Sequence, residues 1–252
     1  MDRDAIAAFL HMYYDPTTLR DGCTNGMQVE GAATEITRVA LGVSPSLELF
    51  ERAAASGAQM IVTHHALFWG TGTRSLDRAL RTRLEVLFAH GITLLSYHLP
   101  LDRHEQGNNA LLRHALGLEP DPRPFGNFDG VAIGCIGRYA EPLPREQFVA
   151  RVAAVCLQAP LVLPYGPDPI ATVGLVSGGA ASRVHEAIAL GLDAYLTGEA
   201  TESIFGAVKE AGITFLAAGH YGTERLGIQQ LGGLLQERFG LQAFFVEVPC
   251  PI

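Results

Sequence analysis

The 252-residue sequence lacks the features that mark several large classes of protein. It contains no apolar run near the ~20 residues that a bilayer-spanning helix needs. Its opening Met-Asp-Arg-Asp lacks the charged and then apolar regions of a secretion signal. The four cysteines are scattered and include no C-x-x-C pair, which indicates neither a disulfide framework nor a thiolate zinc site. We therefore expect a cytoplasmic protein with no membrane partner.

Clusters of basic side chains are also missing. The formal net charge is -8, whereas binding to nucleic-acid phosphates needs grouped lysine and arginine. The sequence thus gives no strong nucleic-acid signal. Its hydrophobic fraction of 48% and charged fraction of 17% are instead typical of a compact globular protein with a substantial core.

Strand and helix patterns alternate along the chain. Residues 37–63 predict a strand, a helix and a second strand, residues 74–90 a further helix, and residues 92–98 another strand. The alternation resumes with a predicted strand over 131–139 and ends in a β-rich tail, FFVEVP. This order predicts an α/β fold in which mostly parallel or mixed sheets are flanked by helices.

A segment rich in proline and glycine predicts a boundary near residue 120. We expect two similar α/β lobes, 1–120 and 121–252, that form one compact unit. Residues 56–65 align without gaps to residues 190–199, which is consistent with internal duplication or with the few residue types that buried βαβ strands use. In a duplicated chain the polar strand ends of the two lobes would converge, with a metal site between them.

The dipeptide His64-His65 follows an apolar strand, so both imidazoles stand at a strand's carboxyl end. Because neighbouring strand residues point to opposite faces, two adjacent ligands would serve two metal ions, or one ion as the chain turns. The alternatives are a structural cap or a chance pair.

Asp102 and His98 follow the next buried strand and offer a hard carboxylate and a nitrogen. Asp102 could equally be a turn or helix-capping residue, as most loop aspartates are. Asn108 and Asn109 stand where helix N-caps are favoured.

His220 and Glu224 are spaced i, i+4, so on a helix they would share one face and could hold the same ion. They could also be ordinary helix-start residues. Three groups of ligand-type residues, all at strand ends, together favour a metal site. The donors suit Zn²⁺, Fe²⁺, Mn²⁺ or Co²⁺. Two ions about 3.5–4 Å apart would activate water and polarise a substrate oxygen.

These motifs resemble those of the GTP cyclohydrolase 1 type 2 homologue family, the Nif-three-like proteins, in its short bacterial form. The matching stretches cover nearly the whole chain and are VTHHALFWG, SYHLPLD with GNN, LTGE and AAGHYGTER. The resemblance implies a dinuclear divalent-metal centre in which Glu224 bridges the ions and the ligands are His64, His65, Asp102, His220 and Glu224. It also implies a homohexameric ring whose sites face an internal cavity.

The resemblance implies that the protein is a metal-dependent hydrolase of a small polar or nucleotide substrate. The family name points to an activity like that of a GTP cyclohydrolase. His98 and Glu199 are the candidate proton carriers, and Glu199 stands where some relatives have the shorter aspartate. Gly178-Gly179 could receive a phosphate at a helix start, although a double glycine is typical of a plain turn.

The alternative function is a non-catalytic metal-binding scaffold or regulatory protein that acts through partners. Trp69 and Phe68, just past the histidine pair, would either line the site or pack in the core or at a subunit contact.

Overall fold

The computed structural model describes residues 1–70 and 75–252, and its sheets flanked by helices confirm the predicted α/β class. In chain order its helices are α1 (Arg3–Tyr14), α2 (Leu47–Ala55), α3 (Arg78–Ala89), α4 (Leu99–Arg103), α5 (Asn108–Ala115), α6 (Arg145–Cys156), α7 (Val184–Ala189), α8 (Phe205–Ala211) and α9 (His220–Phe239). Its strands are β1 (Gly26–Val29), β2 (Arg38–Gly42), β3 (Met60–Thr63), β4 (Thr93–Ser96), β5 (Glu119–Asp121), β6 (Asn127–Phe128), β7 (Val131–Ala132), β8 (Cys135–Leu143), β9 (Leu161–Pro164), β10 (Ile170–Leu175), β11 (Ala194–Thr197), β12 (Thr214–Ala217) and β13 (Gln242–Phe245).

The chain forms two compact units. The first consists of Met1–Leu101 with Ile228–Val248, and the second of Asp102–Gly227 with Pro249–Ile252. The sequence pattern predicts a boundary near residue 120 instead. The boundary differs because α5 and β5 pack with β8 and so belong to the second unit. In addition β13, in the β-rich tail of the sequence, pairs in parallel with β2 and so belongs to the first unit.

The first unit is built on a five-stranded sheet of order β1-β4-β3-β2-β13. Strands β2, β3 and β4 run parallel, and β1 closes one edge in the antiparallel sense. All four residues of β3 are buried, as expected for an apolar strand with parallel neighbours on both sides. The register pairs Thr63 with Ser96, so β3 and β4 end at the same edge of the sheet.

The second unit is built on a six-stranded mixed sheet of order β5-β8-β10-β11-β12-β9. Strands β10, β11 and β12 run parallel, and β9 pairs with β12 in the antiparallel sense. Each sheet therefore contains a parallel triplet in chain order, β2-β3-β4 or β10-β11-β12, whose last strand pairs with an antiparallel strand, β1 or β9. The sequence similarity of residues 56–65 and 190–199 has its counterpart here, since β3 and β11 are the middle strands of these triplets.

Each unit has its own apolar core. In the first, Phe50, Ile61 and Leu94 are fully buried, and in the second Phe148 and Leu216 are. Burial of such side chains contributes about 1.5–3 kcal/mol each, which fixes the sheets and hence the loops that follow their strands. Among the described residues, no helix is both long and apolar enough to cross a bilayer.

Two local predictions differ from the structure. The strand predicted over 131–139 is divided into β7 and β8, because the N–H groups of Ile133 and Gly134 donate to the Gly126 and Phe125 carbonyls and not to a neighbouring strand. The helix predicted over 74–90 is shorter in the structure, where α3 spans Arg78–Ala89 with Asp77 as its N-cap, and residue 74 lies outside the described residues.

Candidate functional site

A cluster of three histidines lies at the carboxyl ends of β3 and β4 in the first unit. His64 and His65 follow β3 directly, and His98 follows β4 after one intervening residue. One ring nitrogen of each histidine lies within 4.8 Å of the others. Because β3 and β4 end at the same edge of the sheet, the residues that directly follow them lie close together in space.

The backbone of the segment after β4 controls the protonation of His64, which is fully buried. Its Nδ1 lies 3.1 Å from the Tyr97 carbonyl oxygen. A carbonyl can only accept, so Nδ1 carries the proton and Nε2 is the basic nitrogen, the form in which imidazole binds a metal. The Nδ1 atom of His65 is also hydrogen-bonded and lies 2.8 Å from Ser44 Oγ, a hydroxyl that can donate or accept.

Asp21 orients His98, a function that the sequence did not suggest for it. The Asp21 Oδ1 atom lies 2.9 Å from His98 Nδ1, and its Oδ2 accepts from the Leu99 N–H and the Asn25 amide. Burial acts to raise the pKa of Asp21, but the hydrogen bond and charge of His98 outweigh burial and lower it to about 2. Asp21 therefore stays ionised at neutral pH and holds His98 with its Nδ1 as the donor.

This pairing predicts a loss of stability in acid. Because the pKa of Asp21 in the folded chain lies below its ordinary value of 3.8, its contribution is present above about pH 4 and is lost as the pH falls towards 2, an effect of about 2 kcal/mol. We expect the free energy of unfolding of metal-free Asp21→Asn, measured in urea, to fall less steeply over this range than that of the wild type. Equal slopes would contradict the pairing.

The two aromatic residues after the histidine pair have different surroundings. Phe68 packs against the apolar core of the first unit. Trp69 lies edge-on to His98, with ring centroids 4.8 Å apart, and its Nε1 donates to the Ala66 carbonyl at 2.7 Å. Of the alternatives that the sequence allows, Phe68 is a core residue and Trp69 flanks the histidine cluster.

The second unit holds an acidic cluster. Asp102 lies in α4 and is 4% exposed, while Glu224 lies in the first turns of α9 and is 2% exposed. A carboxylate oxygen of each lies within 4.8 Å of the other. His220 begins α9, and its Nε2 is 3.1 Å from Glu224 Oε2. The predicted i, i+4 pair therefore shares one helix face.

Two side chains hold one oxygen of Asp102. Its Oδ1 accepts from the Asn108 amide at 2.9 Å and from the Ser177 hydroxyl at 3.0 Å. The expectation that Asn108 and Asn109 cap a helix is wrong: Gly107 is the N-cap of α5, and both asparagines are buried inside it. Asn108 instead joins Asp102 to the Gly227 N–H, which donates to its Oδ1 at 2.9 Å.

Glu224 lies directly against the backbone of Gly178. A Cβ atom placed on Gly178 would fall 2.0 Å from Glu224 Oε1, and its φ of +66° is itself unfavourable for other residues. The Gly178 carbonyl accepts from the N–H groups of Gly198 and Glu199. The double glycine is thus a turn that brings the backbone close to a carboxylate.

Glu199 contacts the other nitrogen of His220. The Glu199 Oε1 atom is 2.5 Å from His220 Nδ1. Burial acts to lower the pKa of His220, but the hydrogen bonds and charges of Glu224 and Glu199 raise it to about 9. Two carboxylates on one imidazole therefore favour a positive charge here, either a proton or a bound cation.

The chemistry of these donors fits a divalent metal ion. The first unit contributes imidazole nitrogens whose Nδ1 atoms are held by hydrogen bonds, and the second contributes an imidazole and two buried carboxylates. Imidazole and carboxylate together suit Zn²⁺, Fe²⁺, Mn²⁺ and Co²⁺. Clusters of this kind at strand ends define a class of α/β protein able to hold metal ions.

Comparison with known sequences gives the family. A family model described as Duf34/NIF3 (NGG1p interacting factor 3) matches residues 1–251, and the chain belongs to this family. The resemblance seen in the sequence motifs is thereby confirmed.

Relatives and solved structures agree with the family match. The GTP cyclohydrolase 1 type 2 homolog of Pseudomonas aeruginosa is 38% identical over 241 residues, which cover 95% of this chain and 94% of the relative. The solved structure of TTHA1606 from Thermus thermophilus is 35% identical with a TM-score of 0.89, and both chains are covered completely. The protein ybgI, described as of unknown function, is 31% identical with a TM-score of 0.93, again with complete coverage of both.

Proposed function

We propose that this chain binds a pair of divalent metal ions and is a metal-dependent hydrolase of a small polar or nucleotide substrate. The ligands would be His64, His65, Asp102, His220 and Glu224. The observation that supports this proposal is the donor chemistry at the strand ends, where the imidazoles are held through Nδ1 and the carboxylates are buried. Buried carboxylates are costly unless they are paired or bind a cation.

The chain's own residues support hydrolytic chemistry. Bound divalent ions would supply a Lewis acid that activates water at neutral pH. His98 is 17% exposed in its side chain and donates from Nδ1 to the ionised Asp21. That carboxylate stabilises an imidazolium, so His98 can accept a proton at Nε2 and release it to a leaving group. Glu199 instead holds His220, which favours a positioning role over proton transfer.

Elemental analysis of the purified protein tests the metal centre. We expect about two transition-metal equivalents per chain, and a loss of at least one in His64→Ala and in Glu224→Ala. His185→Ala is the matched control, because His185 is exposed and lies in α7 outside both clusters. Metal-free wild-type protein that cannot be reconstituted would overturn the proposal, as would variants that retain full metal content.

A substrate screen of the metal-loaded protein then separates the two functions. The names of the relatives make GTP the first compound to test. Turnover that is lost in His98→Ala, with metal content intact, supports hydrolysis. A fully loaded protein with no turnover of any compound would favour the scaffold alternative. The homohexameric ring that the resemblance implies stays a prediction.

A further inference from the structure

A small cavity that is open to solvent lies in the second unit beside the Glu199–His220 pair. Its volume is about 390 Å³, within the range of roughly 300–1,000 Å³ of small-molecule sites. The side chains that define it are Gln158, Leu161, Glu199, Ala217, Pro251 and Ile252. The cavity therefore has two polar side chains, one of which contacts the candidate ligand His220, and an apolar wall.

The backbone around His220 fixes the walls of this cavity. The amide of Gln158 occupies the space beside Gly219, where an added Cβ would fall 2.2 Å from its Nε2. The backbone oxygen of Ile252 accepts from the His220 N–H at 2.8 Å, which holds the segment with Pro251 against the start of α9. The Gln158 amide thus lies against Gly219, and the segment with Pro251 is hydrogen-bonded at His220.

The polar groups limit the chemistry of a ligand. An ionised carboxylate only accepts hydrogen bonds, and a primary amide both donates and accepts. None of the described residues that line the cavity is lysine or arginine. The positive charge of His220 is shared between the Glu199 and Glu224 carboxylates, so this group keeps a net negative charge and disfavours a phosphate or carboxylate ligand. A neutral or cationic group with adjacent N–H donors satisfies Glu199, and its carbonyl or ring nitrogen satisfies Gln158.

We propose that this cavity is a substrate pocket for a nitrogen-rich planar group, such as an amidine or an amino-substituted heterocycle, with Glu199 and Gln158 as its recognition pair. The ligand's ring would lie against Leu161, Ala217 and Pro251. The term substrate rests on the proposed function, whereas the binding itself needs no metal. A nucleotide substrate would place its base here and its phosphates elsewhere.

The probe for this pocket is isocytosine, which carries an amide N–H beside an amino group. Titration by saturation-transfer NMR of the metal-free and the metal-loaded protein should give saturable binding near 1 mM in order of magnitude. The analogue 4-pyrimidinone, which lacks the amino group, should bind about tenfold more weakly, as should isocytosine to Gln158→Met and to Glu199→Gln. Benzoate should not bind.

Matched variants make the result decisive. Gln236→Met and Glu202→Gln change exposed residues outside the cavity and should bind isocytosine like the wild type. Unsaturable binding of isocytosine, or equal affinity in the cavity and control variants, would overturn the pocket. Because the metal-free protein is tested as well, failure of the metal centre and failure of the pocket give different results.

Discussion

Gly178→Ala should lower both the stability and the metal content of the protein. The new Cβ would fall 2.0 Å from Glu224 Oε1, so the carboxylate would have to move. Overpacking of this kind costs about 1–3 kcal/mol, and the left-handed φ of +66° adds about 1–2 kcal/mol for an L-residue. We expect a fall of about 2–5 kcal/mol in the free energy of unfolding, measured in urea, and a bound metal content well below the wild-type value.

Two other glycines separate the causes of this effect. A Cβ on Gly179 meets its nearest atoms at 3.7 Å, and Gly191 has the same φ of +66° with nothing within 4 Å of its Cβ. Gly179→Ala should therefore change neither quantity much, and Gly191→Ala should lose stability but keep its metal. If Gly178→Ala lowers the free energy of unfolding by the same amount as Gly191→Ala and keeps its metal, the close approach of Gly178 to Glu224 does not affect metal binding.

Asn108→Leu should weaken metal binding as well as stability, whereas Asn109→Leu should affect stability alone. Both side chains are buried. Asn108 donates to the Asp102 carboxylate, while Asn109 bonds to backbone groups, namely the Asp102 and Ile133 carbonyls and the Ser177 N–H. Each buried group left without its partner costs about 1–3 kcal/mol, and loss of a residue that orients a metal ligand lowers metal affinity about 10–100-fold.

Calorimetric titration of the apo proteins with Zn²⁺ or Mn²⁺ measures this difference, with urea unfolding as the measure of stability. Ser177→Ala provides a milder change, because it removes a single hydroxyl from Asp102 Oδ1 and should cost about 1 kcal/mol. It keeps the test usable where an asparagine variant does not fold. A metal affinity equal to that of the wild type in both the Asn108 and the Ser177 variants would show that Asp102 needs no orientation or binds no metal.

The sequence predicted best those features that depend on local patterns along the chain, such as strand ends and the helical period. His64 and His65 could be placed at a strand end because β3 is a short run of apolar residues, and parallel strands bring their carboxyl ends to one edge of a sheet. The face shared by His220 and Glu224 follows from the helical period alone. The α/β class likewise follows from the alternation of strands and helices.

The supporting contacts could not be predicted, because they join residues far apart in the chain. Asp21 reaches His98 across 77 positions and Ser177 reaches Asp102 across 75, and no periodic pattern encodes such pairs. The residue type of Asn108 predicted a helix N-cap, but in the folded chain its buried side chain donates to the Asp102 carboxylate. The division of the chain into units could not be predicted from composition either, because it depends on which strands pair, as β13 does with β2.

The pairing of β13 with β2 also bears on the order in which the protein forms during synthesis. The second unit is almost one continuous stretch, Asp102–Gly227, and can pack while the ribosome is still adding later residues. The first unit begins earlier but needs Ile228–Val248 to complete its sheet. The unit that is translated first thus completes its sheet last, and until β13 is available β2 is the unpaired edge of that sheet.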